Sequence, residues 1–186
     1  MINILRLFFR RPVLLAVFSV SLLVSYVIPL GCRAAEPAFS VGYGFGIWNK
    51  GSIGEAGKLP YDYATISYLY EKNLSGRLAV VLEPFCNIIN SPRSGIDTGL
   101  VVHLKTYFTE LGPQKRFYFA AGAGTAYTTM KFKGQGTHCL FVLQGTIGYR
   151  HGSFFIEDRF HHYSNGGLAA PNRSVNSNMV KIGYYF

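Results

Sequence analysis

Period-two alternation recurs along the chain, and it restricts the fold more than any other feature of the sequence. Phe39, Val41, Tyr43, Phe45 and Ile47 are apolar, and the residues between them, Ser40, Gly42, Gly44 and Gly46, are small. Leu100, Val102, Leu104 and Phe108 alternate with Gly99, His103, Lys105 and Tyr107, and Phe141, Leu143, Ile147 and Tyr149 alternate with Gln144, Thr146, Gly148 and Arg150. Successive strand side chains point to opposite faces, so each segment has one apolar face and one polar or narrow face. The same reading along the chain predicts strands near 37–49, 60–72, 76–88, 96–108, 115–128, 137–150, 153–164 and 175–186. Beyond residue 34 there is no run of 18 apolar residues and no stripe at helical spacing, which excludes a helical membrane protein for that part.

Two all-β architectures accommodate eight alternating segments. A soluble barrel or sandwich turns its apolar face inward, whereas a transmembrane β-barrel turns it outward and closes to remove both sheet edges. The ending Val180-Lys181-Ile182-Gly183-Tyr184-Tyr185-Phe186 puts Val180, Ile182, Tyr184 and Phe186 on one face. It resembles the terminal strand of bacterial outer-membrane proteins, whose last aromatic residue is read by the barrel-insertion machinery. The expected fold is therefore an all-β, eight-stranded antiparallel transmembrane β-barrel in the outer membrane. An even strand number assigns 73–75, 109–114 and 151–152 to short periplasmic turns and 50–59, 89–95, 129–136 and 165–174 to outer loops.

Residues 1–34 read as a signal peptide and 35–186 as the barrel. The leader holds Arg6, Arg10 and Arg11, an apolar run from Pro12 to Leu30 and small residues at Gly31, Ala34 and Ala35, the layout of an export signal cleaved after Ala34. Pro29-Leu30-Gly31-Cys32 offers an imperfect lipoprotein site, and an uncleaved anchor is the competing reading, since about 19 apolar residues reach across a bilayer. Charge follows the same division. The chain has 18 Lys+Arg against 9 Asp+Glu, but four arginines lie in the leader, leaving 14 basic residues and a net of +5. With 15% charged and 16% aromatic residues, a lipid-facing surface suits the composition better than a nucleic-acid partner. The predicted outer loops hold Lys50, Lys58, Arg93, Lys131, Lys133 and Arg173 against Glu55, and would face phosphorylated glycolipid. Cys86 and Cys139 fall in non-adjacent strands, so both are expected as free thiols.

One segment carries chemistry. His162 and Ser164 are two residues apart in the seventh strand, roughly 7 Å apart at Cα on one face, a spacing that lets an imidazole take a proton from a hydroxyl. Phe154, Ile156 and Phe160 share their parity, so the pair faces outward, at the outer end of the strand. Polar decoration of the membrane interface is the other reading of that spacing. His161 faces the lumen, so it cannot join His162 on a metal ion, and no metal or cofactor is expected. Glu157, Arg159, His161, Glu83, His103 and Lys105 point inward and should fill a lumen too narrow for a pore.

The run His162-Tyr163-Ser164-Asn165-Gly166-Gly167-Leu168-Ala169-Ala170-Pro171-Asn172 resembles the signature of the PagL lipid A 3-O-deacylase family, also described as acyloxyacyl hydrolases. The resemblance implies an outer-membrane serine esterase acting on lipid A of lipopolysaccharide, with Ser164 as nucleophile and His162 as base. It implies oxyanion contacts from Asn165, Gly166, Gly167 and Asn172. Lys131, Lys133 and Arg173 are weaker candidates for binding the lipid A phosphates. The sequence departs from the family twelve residues after the serine, where the best-known members carry glutamate and this chain has Asn176. Asn176 shares the outward face at the same end and is expected to orient His162 without a charge. Asp158 is roughly 13 Å below His162 on the same strand and cannot readily replace that acid. The missing acid favours a non-catalytic envelope or adhesion barrel; the intact H-x-S-N-x-G-L run favours the esterase.

Overall fold

A computed structural model describes residues 35–47, 61–91, 93–110, 115–130, 132 and 134–186. It contains eight strands: β1 (Glu36–Gly46), β2 (Asp62–Asn73), β3 (Leu78–Ser91), β4 (Gly95–Glu110), β5 (Lys115–Thr128), β6 (Cys139–His151), β7 (Phe154–Ser164) and β8 (Val175–Tyr185). Each strand pairs antiparallel with the next, and β1 closes on β8. All eight expected segments form strands. The largest boundary differences are at β1, which ends at Gly46, and at β3, which reaches Ser91. The proposed signal peptide and the bases Lys50, Lys58, Lys131 and Lys133 lie outside the described residues.

The alternation resolves into an apolar outside and a polar, aromatic inside. Phe39, Val41, Ile66, Leu104, Leu143, Ile147, Ile156 and Ile182 are all exposed on the outer wall. Inside, Arg159 reaches Glu83 at 2.7 Å and Glu157 at 2.6 Å, Lys181 pairs with Glu83, and Lys105 pairs with Glu71 at 2.9 Å. Tyr107 and Tyr185 donate to Glu71, and Tyr118 donates to Glu157. All six inward charges and imidazoles expected from the sequence are buried there. Interior glycines make the space: a Cβ on Gly44 would meet the Tyr63 ring, and one on Gly148 the Tyr118 ring.

Local departures from regularity have local causes. Pro84 sits mid-strand in β3, and the β2–β3 register skips the residues opposite it, since proline has no N–H to donate to a ladder. Cys86 in β3 and Cys139 in β6 are free thiols, as their separation by two strands requires.

Candidate active site

Strand β7 sorts its side chains by parity. Phe155, Glu157, Arg159, His161 and Tyr163 are buried in the lumen, while Phe154, Ile156, Asp158, Phe160, His162 and Ser164 lie on the outer wall. A single-residue slip would exchange the two sets. The β6 register places Phe141 beside Ser164 and Leu143 beside His162, so apolar side chains flank the pair.

On the other side, β8 brings Asn176 directly opposite His162. Asn176 Oδ1 lies 2.7 Å from His162 Nδ1, a distance within the range of a good hydrogen bond. An amide oxygen only accepts, so Nδ1 carries the proton and Nε2 keeps its lone pair. Ser164 lies next along this face, and among the described residues no hydrogen bond yet links its hydroxyl to the ring. Such contacts often close only when substrate is bound. Asp158 is engaged elsewhere, accepting from Asn178 Nδ2 at 2.5 Å.

The connection from β7 to β8 folds back over its own start. Gly166 and Gly167 adopt left-handed φ values of 60° and 82°, which a glycine reaches without penalty. A Cβ at Gly166 would also strike the Phe141 ring. Asn165 points inward, fully buried. Its Nδ2 donates to the carbonyls of Ala169 at 2.8 Å and Pro171 at 3.0 Å, and its Oδ1 accepts from the Gly167 N–H at 2.9 Å. Its own N–H donates to Asn172 Oδ1 at 2.9 Å.

These bonds separate the four residues expected to bind an oxyanion. The Asn165 side chain and the N–H groups of Asn165 and Gly167 are consumed in building the loop. Asn172, exposed and held through its Oδ1, has Nδ2 to offer, and the Gly166 N–H has no partner among the described residues. Parity alone could not separate these roles, because they depend on how the loop closes. The sequence reading also missed Gln135, which forms an isolated antiparallel bridge with Asn172. The only signal for it in the sequence is a polar residue between Gly134 and Gly136. Of the phosphate candidates, Arg173 lies at this end of the barrel, exposed, beside Asn172. Among the described residues no group of three metal-ligating side chains occurs.

The profile of the lipid A 3-O-deacylase (PagL) family matches residues 37–185, the whole barrel. The chain belongs to that family. Among solved structures, the outer membrane enzyme PagL superposes with a TM-score of 0.61 at 17% identity, covering 78% of this chain and 98% of that one. Neisserial surface protein A superposes with a TM-score of 0.58 at 11% identity, covering 83% and 97%. Both likenesses establish the fold, the eight-stranded barrel of outer-membrane proteins. No curated protein sequence matches the chain. The family is one of lipid A 3-O-deacylases.

Proposed function

We propose that the protein is an outer-membrane serine esterase that hydrolyses the 3-O-linked acyl chain of lipid A, with Ser164 as nucleophile, His162 as base and Asn176 as the residue that orients His162. The observation that carries this reading is the 2.7 Å contact between His162 Nδ1 and Asn176 Oδ1 on the outer wall, beside Ser164. It fixes the tautomer in which Nε2 is free to take a proton.

The chemistry follows from that arrangement. Nε2 takes the hydroxyl proton as Ser164 Oγ attacks the ester carbonyl, and the oxyanion formed accepts hydrogen bonds from Asn172 Nδ2 and the Gly166 N–H. The tetrahedral intermediate collapses as the imidazolium protonates the departing sugar hydroxyl, leaving the acyl group on Ser164. Water, deprotonated by His162, then releases the fatty acid. A site on the outer wall meets lipid A in the leaflet without extracting it, and Arg173, with Lys131 and Lys133, supplies positive charge for the phosphates. The reading includes export by a cleaved signal peptide, residues 1–34, and assembly by the barrel-insertion machinery.

The non-catalytic alternative draws on one observation, the uncharged partner of His162. Mass spectrometry of lipid A from cells making the wild type or Ser164→Ala decides between them. The wild type should shift lipid A by the mass of one acyl chain, and Ser164→Ala should leave it intact. Unmodified lipid A around a correctly inserted wild-type barrel would establish the alternative.

A further inference from the structure

The connection from β5 to β6, at the end of the barrel that carries the site, is anchored inside the barrel by Phe132. Phe132 is buried and packs edge-on against Tyr61, with centroids 5.3 Å apart, and lies tilted against Tyr163 at 6.4 Å. Both tyrosines are fully buried core residues of the lumen, so this connection is pinned to the barrel interior.

From that anchor the chain crosses to the loop that follows β7. The Gly136 N–H donates to the Pro171 carbonyl at 2.8 Å, and the Arg173 N–H donates to the Gly134 carbonyl at 2.7 Å. The Gln135 side chain, 1% exposed, donates through Nε2 to the Arg173 carbonyl, while its Oε1 is buried without a partner among the described residues. A Cβ at Gly136 would press into the Ala170 carbonyl and the Ala169 methyl, so the approach is as close as glycine permits.

Together these bonds immobilise Asn172 from both sides. The carbonyl before it is held by Gly136 and Asn165, the carbonyl and N–H after it by Gln135 and Gly134, and its own Oδ1 by the Asn165 N–H. The free end of the side chain, Nδ2, is thereby aimed by its surroundings. A buried amide with one half unsatisfied does little for net stability, because desolvating the orphan oxygen offsets what the other half gains. Folding alone therefore accounts poorly for Gln135.

We infer that Gln135 is a positioning residue for the oxyanion site, and that Phe132 and residues 134–136 form a strap which holds Asn172 Nδ2 where the developing charge will appear. The inference rests on the esterase reading above. Oxyanion stabilisation depends on donors that are already in place, and a displacement of about 1 Å can cost roughly 100-fold in rate. Gln135 touches neither the substrate nor the Ser164–His162 pair, so its loss should act on turnover and leave binding alone.

The test compares wild type, Gln135→Met and Ser164→Ala, each refolded in vesicles containing lipid A, by initial rates of fatty-acid release and by amide hydrogen exchange. Methionine fills the same space without the donor. Gln135→Met is expected to lower kcat about 10- to 100-fold with KM within about twofold, and to speed exchange at the Gly136 and Arg173 amides. A kcat for Gln135→Met within about twofold of wild type overturns the inference and leaves the esterase reading intact, provided Ser164→Ala is inactive. Should Gln135→Met fail to fold, the wild type alone decides: the Gly136 and Arg173 amides must be protected like strand amides, and exchange at the rate of a free loop rejects the strap. A wild type that releases no fatty acid removes the esterase reading, and the positioning role with it.

Discussion

Asn176 presents an amide oxygen to His162 where the family resemblance puts a carboxylate, and the two groups differ in what they do once His162 gains a proton. Both hold the ring in the same tautomer, but a carboxylate also stabilises the charge of the imidazolium that forms during the reaction. Aspartate has the shape of asparagine, so Asn176→Asp should keep the 2.7 Å contact and raise kcat by at least about tenfold, measured by fatty-acid release under saturating lipid A. Asn176→Glu is expected to raise it too. An unchanged or lower rate in both variants would show that another group orients the ring. Asn165 is expected to behave differently from its neighbour Ser164. Its side chain makes three hydrogen bonds within the loop while buried, so Asn165→Ala should leave those groups unpaired at a cost of about 1–3 kcal/mol. Urea unfolding of the refolded barrel measures that cost, and a midpoint equal to wild type would return Asn165 to the list of direct substrate contacts.

At the scale of a strand, what places the chemistry is register. The β7–β8 ladder sets His162 opposite Asn176, and the β6–β7 ladder sets Ser164 opposite Phe141. That register is held by packing inside the barrel, where a large side chain on one strand occupies the space left by a glycine on its neighbour. Tyr118 of β5 fills the place of a Cβ on Gly148 of β6 while donating to Glu157 at 2.9 Å. Gly148→Ala should therefore overpack the lumen and destabilise the barrel by about 1–3 kcal/mol. Pairing it with Tyr118→Ser should recover part of the loss in the same unfolding experiment. Additive effects of the two changes would mean that the close approach does not constrain the register.

Across the whole molecule the charged interior and the apolar wall divide the work. Glu83 is the hub of the interior, receiving Arg159 and Lys181, with His103 Nε2 at 3.1 Å. Glu83→Ala would leave buried cations short of a counter-charge, a loss of about 3–5 kcal/mol for a buried pair, seen as a lower unfolding midpoint. With the lumen filled by these groups and the tyrosines above them, the barrel should carry no steady ion current in a planar bilayer, and a stable single-channel conductance would contradict the packing described. Much of this was legible in the sequence, because strand side chains alternate with a strict period of two. Parity alone sorted His162, Ser164 and Asn176 outward and Glu157, Arg159 and His161 inward, and the H-x-S-N-x-G-L run pointed to the family. Loops have no such period, and there the sequence could not say which polar groups the fold would use. Asn165 and the Gly167 N–H, expected at the oxyanion, are instead spent on loop closure, and Gln135 meets Asn172 only because two distant connections fold against each other. The sequence by itself determined the eight strands, the face each residue occupies and the placing of His162 and Ser164 side by side on the outer wall, since these follow from local chain geometry. Only the tertiary structure decided which donors remain free and what holds them, since a hydrogen bond made between loops 37 residues apart in the chain leaves no periodic trace.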